Sequence, residues 1–160
     1  MNTSYLLTGS NMGDREQYLA MARERIEAVC GKIGKASSLY ETAAWGKTDQ
    51  PAFLNQSLKI ETSLDAKQLI HSVLEVEKEL GRARKEKYGP RVIDIDILLF
   101  NNEILASPSL NIPHPEMQNR RFALVPLAEI APNILHPVLK KTIAELLKNC
   151  PDTLPVKKYS

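Results

Sequence analysis

Two aspartates, Asp94 and Asp96, interrupt an otherwise apolar run, V-I-D-I-D-I-L-L-F, and a basic stretch, G-R-A-R-K-E-K-Y-G-P-R, leads straight into it. Side chains alternate along a strand, so Asp94 and Asp96 are expected on one face and Ile93, Ile95, Ile97 and Leu99 on the other. Their Cα atoms then stand roughly 6 to 7 Å apart, close enough for both carboxylates to converge on divalent cations. Like charges side by side on a sheet are costly unless something positive offsets them. Arg82, Arg84, Lys85, Lys87 and Arg91 could do so as a plain ion network. The alternative, which the residue types favour, is chemical: oxygen-only ligands suit Mg²⁺, which is held by one or two carboxylates together with substrate phosphates. Arginine forks would grip those phosphates from a loop marked by Gly81, Gly89 and Pro90.

Strand and helix signals show what must position these groups. Ser4 to Thr8 reads as a first strand leading into a turn at Gly9 to Gly13. Asp14, with Gln17 three places on, caps a helix whose Leu19, Ala22, Ile26 and Val29 recur at helical spacing up to Gly31. Ser37 to Glu41 is expected as a second strand and Thr42 to Ala52 as a long loop. Phe53 to Glu61 forms a third strand, with Leu54, Leu58 and Ile60 on one face and Phe53, Asn55 and Ser57 on the other, wetter one. Phe53 beside Asn55 fits either a cross-strand packing pair or a ring that stacks a planar ligand next to an amide that reads its edge.

Ser63 can cap a second helix with Leu69, Val73, Val76 and Leu80 as its buried stripe, ended by Gly81. The order strand, helix, strand, strand, helix, strand is the ferredoxin-like split pattern within an α+β fold. It places both helices on one face of an antiparallel sheet and leaves the other face open to ligand. Asn101 and Asn102 mark a turn into a short hairpin, Phe122 to Ile130 and Thr142 to Asn149 read as further helices, and the tail from Pro151 is expected to fray.

At 160 residues the chain suits a single domain with its own core. Its 21 basic and 19 acidic residues leave a formal charge of only +2, without the global field of a nonspecific nucleic-acid binder. The first ten residues lack a targeting pattern and nowhere do eighteen apolar residues run together, so a cytoplasmic protein without nucleic-acid or membrane partners is expected, with a monomer favoured over an oligomer though the residues do not fix which. Cys30 and Cys150 show no ligand spacing and read as reduced thiols. No Walker or Rossmann glycine pattern occurs, so side chains must hold any phosphate. His114, between Pro113 and Pro115, could donate to a phosphate oxygen or simply be a satisfied surface group, and His71 and His136 show no partner pattern.

The run from Gly81 to Phe100, preceded by D-Q-P-A-F-L-N and followed by I-P-H-P-E-M-Q-N-R-R-F, resembles the 6-hydroxymethyl-7,8-dihydropterin pyrophosphokinases of folate biosynthesis, as does the opening L-L-T-G-S-N-M-G-D-R. The resemblance covers nearly the whole chain, and G-P-R-x-x-D-x-D is its specific core. It implies transfer of the pyrophosphoryl group of ATP to a pterin hydroxymethyl group, with AMP released. Asp94 and Asp96 would hold two Mg²⁺ ions, and Arg82 and Arg91 would act on the reacting polyphosphate. Phe53 and Phe122 would sandwich the pterin, with Asn55, Thr42, Ala43 and Trp45 around its edge. Glu77, Arg82, Arg84, Tyr88, Arg91, Ile97, His114 and Arg120 would surround ATP.

Three positions depart from the family pattern: Tyr88 where many members carry tryptophan, Pro115 where they carry tyrosine, and Ser109 where they carry arginine. Residues 42–52 and 81–89 are expected to act as lids. Two rivals use the same features. A D-x-D sugar transferase also binds nucleotide phosphates through paired aspartates, but this chain is short and lacks a mononucleotide-fold signature. An RNA-binding module uses the same sheet topology, but no RNP-like aromatic run is present and bare aspartates would repel phosphate.

Overall fold

The computed structural model describes residues 1–42, 51–81 and 92–159. The first strand, β1 (Asn2–Ser10), leads into helix α1 (Arg15–Val29), and the short strands β2 (Lys32–Ala36) and β3 (Tyr40–Thr42) precede the long strand β4 (Phe53–Thr62). Helix α2 (Ala66–Glu79) and strand β5 (Asp94–Phe100) follow. Next come a ribbon of β6 (Leu105–Ala106) and β7 (Asn111–Ile112), helices α3 (Arg121–Ile130) and α4 (Ile143–Lys148), and a last strand β8 (Val156–Lys158). The main sheet runs β5-β1-β4-β3-β8, with β2 also paired to β4, and every pairing in it is antiparallel.

Local chemistry starts and stops the helices much as the residues suggest. The Asp14 side chain accepts the N–H of Gln17 at 3.1 Å and opens α1. Leu19, Ala22 and Ile26 are buried, but Val29 is exposed, so the stripe ends one turn early. Helix α2 is capped by Asp65 rather than Ser63. Asp65 accepts from the backbone of Gln68 while the Gln68 side chain returns a bond to the Asp65 N–H, satisfying two orphan donors at once. Gly81, at φ +84°, then takes the left-handed turn that releases the chain.

Helices α1 and α2 share one face as expected, but the sheet carries a core on each face, which corrects the expectation that the other face stays open. On one face Leu6, Leu54, Leu58, Ile60, Ile95 and Ile97 pack against α1 and α2. On the other, Tyr5, Leu7, Leu98 and Leu99 pack against Ala123, Leu124 and Leu127 of α3 and Ile143 and Leu146 of α4. Each buried aliphatic side chain contributes about 1.5–3 kcal/mol, and both layers are therefore needed to offset chain entropy.

Strict alternation along β5 fails at one residue. Tyr5 pairs with Leu99 and Leu6 with Ile97, so Leu98 is an inserted, unopposed position. This bulge reverses the faces beyond it: Leu99 joins the α3 side and Phe100 the α1/α2 side. The expectation that Leu99 shares a face with Ile97 is corrected accordingly. Two further corrections concern sheet edges. The stretch Ser37 to Glu41 is not one strand but the junction between β2 and β3. The tail does not fray. It adds β8 to β3, and the Tyr159 N–H donates to Leu39 O at 2.8 Å.

Candidate active site

Cross-strand register builds the site. Gly9 of β1 lies opposite Asn55 of β4 on one side and Asp94 of β5 on the other, and Asn55 in turn faces Tyr40 of β3. One row therefore reads Tyr40, Asn55, Gly9, Asp94 on the α3 side of the sheet. The next row carries Ser57, Leu7 and Asp96. Two strand spacings separate Asn55 from Asp94, about 10 Å. Thr42, buried at the end of β3, stands opposite Phe53.

The centre of that row must be glycine. A Cβ on Gly9 would lie 2.5 Å from Asn55 Nδ2, inside any permitted contact. The space lets Asn55 lean over β1 and donate to Thr8 O at 3.1 Å. This face is not the wetter one: Asn55 is only 4 % exposed and Ser57 is fully buried. Asn55 Oδ1 is nevertheless left without a hydrogen-bond partner among the described residues. A buried amide oxygen with no donor costs about 1–3 kcal/mol, a penalty that a ligand N–H would remove.

Asp94 and Asp96 are both half-buried on this face. Their surroundings fit a hard cation. Two carboxylates stand on one face, two residues apart on β5. That is the donor set expected where substrate oxygens and water complete the coordination of Mg²⁺.

His114 follows a turn whose backbone is tied to the bulge, its N–H donating to Leu98 O at 3.0 Å. Its Nδ1 accepts the Glu116 N–H at 3.1 Å. Burial, with the Arg120 guanidinium adding to it, pushes the imidazole down to about 4 against the opposing pull of Glu116 and Asp94. The ring is therefore neutral at physiological pH, with Nε2–H as its donor. Arg120 stands over the Phe122 ring at 5.8 Å from the centroid, and Phe122 itself is half-buried at the start of α3.

Two of the expected nucleotide-side residues are held by the fold, Glu77 in a way the sequence did not suggest and Ile97 on the apolar face expected of it. Glu77 is buried, and its Oε2 accepts the Ile95 N–H at 2.8 Å, so α2 satisfies a backbone donor of the outer strand β5. Ile97 packs into the core on the α1/α2 face. Ala43, Trp45, Arg82, Arg84, Tyr88 and Arg91 lie outside the described residues, as does most of each expected lid. The structure thus brings together Thr42, Phe53, Asn55, Asp94 and Asp96 on one sheet face, with Phe122, Arg120 and His114 on the segment and helix beside it.

Sequence reasoning overlooked Gly9, Tyr40 and Glu129. Glu129, on α3, accepts from Ser38 and Tyr40. Only Gly9 carried a signal, as the glycine directly after an apolar strand. Cys30 is buried, and burial pushes its thiol up to about 11, so it is an inert core group. No helix among the described residues is long and apolar enough to cross a membrane.

Known proteins resemble this chain in sequence and in fold. The chain is 46 % identical over 145 residues to the 2-amino-4-hydroxy-6-hydroxymethyldihydropteridine pyrophosphokinase of Aquifex aeolicus, covering 91 % of this chain and 90 % of the relative. It is 44 % identical over 134 residues to the Bacillus subtilis enzyme of the same name, covering 83 % and 80 % respectively. The fold is similar to that of a Plasmodium falciparum HPPK-DHPS crystal structure with pterin and p-hydrobenzoate, with a TM-score of 0.73 and 19 % identity. That match covers 92 % of this chain but only 44 % of the longer protein. Residues 5–132 match the profile of the 7,8-dihydro-6-hydroxymethylpterin-pyrophosphokinase family, HPPK, and the chain belongs to that family of diphosphokinase enzymes.

Proposed function

We propose that this enzyme transfers the intact pyrophosphoryl group of ATP to the hydroxymethyl group of 6-hydroxymethyl-7,8-dihydropterin, yielding AMP and the pterin diphosphate. The observation that carries the reading is the row across the sheet: a buried, unsatisfied Asn55 Oδ1 and the Asp94 carboxylate flank Gly9 on one face. A flat heterocycle laid along that row would place a ring N–H on Asn55 and its substituent toward the aspartates.

Phe53 and Phe122 would stack on the ring, with Thr42, Ala43 and Trp45 along its edge. The new bond forms between the pterin hydroxyl oxygen and the β-phosphorus, the bond from the β-phosphorus to the oxygen it shares with the α-phosphorus breaks so that AMP leaves with that oxygen, and the hydroxyl proton passes to water. Asp94 and Asp96 would hold two Mg²⁺ ions, which when bound supply neutralisation of the triphosphate and a lower pKa for the attacking hydroxyl. Arg82 and Arg91 stabilise charge on the transferring group. His114, kept neutral by its surroundings, donates through Nε2–H to a phosphate oxygen, while Glu77, Arg84, Tyr88, Ile97 and Arg120 complete the nucleotide side.

The sheet order supports describing the core as ferredoxin-like. The chain is taken to act as one domain over residues 1–160, as a cytoplasmic monomer with ATP and the reduced pterin as its only required partners. The decisive experiment incubates the chain with ATP, 6-hydroxymethyl-7,8-dihydropterin and Mg²⁺ and resolves the nucleotide product. AMP equal to pterin diphosphate is expected, and it should disappear with EDTA and return with added Mg²⁺. ADP as the product, or AMP formation indifferent to metal, refutes the reading.

A further inference from the structure

Helix α3 carries Phe122 in its first turn and Glu129 in its last. Residues seven apart lie on the same side of a helix, about 10 Å along its axis. Glu129 meets the sheet through a dense set of bonds. Its carboxylate accepts the Ser38 N–H at 3.1 and 3.0 Å, the Ser38 hydroxyl at 3.3 Å and the Tyr40 hydroxyl at 2.5 Å. Burial opposes ionisation there, but these donors from Tyr40 and Ser38, with Lys158 nearby, hold its carboxyl below the ordinary range. Burial and the same carboxylate push the Tyr40 phenol up to about 12, so the hydroxyl stays a donor.

At the opposite end of α3, Asp152 Oδ2 accepts the Arg121 N–H at 2.9 Å, in place of a cap from Arg120. Pro126 contributes no N–H to the internal ladder of the helix. The placement of α3 therefore depends on its apolar contacts and on these two outside anchors. Tyr40 is the register partner of Asn55, so the Glu129 anchor stands in the same row as the unsatisfied amide oxygen.

We propose that Glu129, bonded to Tyr40 and Ser38, is a positioning residue that sets the height of α3 above the sheet and so the gap between the Phe122 ring and the Phe53–Asn55 surface. The inference rests on the pterin reading given above and adds to it a residue that touches no substrate. A planar ring is gripped only when both stacking partners stand at the right separation, so loosening the anchor penalises pterin capture before it affects phosphoryl chemistry.

The test uses Glu129→Gln and the milder Tyr40→Phe in the full chain, with KM for each substrate, kcat, and amide hydrogen exchange of α3. Both variants should raise the pterin KM by roughly 10-fold while kcat and the ATP KM hold. Exchange at the amides of residues 121–124 should quicken, and the double variant should be no worse than the poorer single one, since both break one anchor. An unchanged pterin KM in two folded variants overturns the proposal, as does a rise in both KM values together. Unaltered exchange at the start of α3 in Glu129→Gln also overturns it, and that arm decides the matter even if the wild-type chain yields no AMP, a result that would count against the function itself.

Discussion

The two faces of one sheet do different work. Toward α1 and α2, Leu6, Leu54, Leu58, Ile60, Ile95 and Ile97 of strands β1, β4 and β5 form a continuous apolar layer, and the polar side chains among them, such as Thr8 and Gln56, are themselves buried. Toward α3, alternate residues of the same strands present Asn55, Ser57, Asp94 and Asp96 beside an apolar patch. Alternation lets adjacent residues serve opposite ends: Ile95 and Ile97 are core, while Asp94 and Asp96 between them remain half-exposed. The second face can carry polar groups because its apolar patch against α3 and α4 adds to the core already formed on the first.

Substitutions on the two faces should separate cleanly. The largest effect is expected for Asp94→Ala and Asp96→Ala, each lowering kcat/KM by about 1000-fold or more while urea denaturation shows stability little changed or slightly raised, since a like charge is removed. A large loss of stability in either variant would break the contrast. Leu58→Ala, on the closed face, should cost about 2–5 kcal/mol in the same denaturation experiment yet leave kcat per folded molecule intact.

A smaller effect is expected for Gly9→Ala. The new methyl displaces the Asn55 amide, and titration with the reduced pterin should show binding weakened by about 10-fold with ATP binding unaltered. The smallest effect concerns pH. His136 is buried, and its Nδ1 accepts the N–H groups of Val138 and Leu139 at 3.2 and 3.0 Å. Burial lowers its pKa, so the unfolded chain takes up the proton first and stability falls as pH drops below the ordinary histidine value of 6.5. His114 acts in the same direction between about 6.5 and about 4. Metal-free melting curves should therefore decline from pH 7 to pH 5, and His136→Gln should flatten part of that decline by a few degrees.

Much of this was readable from residue order because it depends on short-range rules. The Asp14 cap, the α2 stripe and the pairing of Phe53 with Asn55 on one face all follow from spacing alone. What escaped was decided by partners distant in the chain. Strand β2, K-I-G-K-A, has no apolar alternation because it lies along β4 with most of its side chains in water. The bulge at Leu98 is a property of the match between β1 and β5, invisible in either strand by itself. Likewise, the apolar stripe of α3 announces burial but not which face of the sheet receives it. That is why the supposedly open surface proved to be a second core around Asn55. Glu129 carried no signal because its donors, Ser38 and Tyr40, lie some ninety residues earlier.

The last strand has a consequence for handling this enzyme. With β8 in place the β3 side of the sheet terminates in a three-residue strand bearing Lys157 and Lys158, a short and positively charged margin that discourages stacking of one molecule on another. Shortening the chain ahead of Val156 would bare the backbone donors and acceptors of Tyr40–Thr42. Such truncated material should precipitate or form intermolecular ribbons at concentrations where the intact chain stays dispersed.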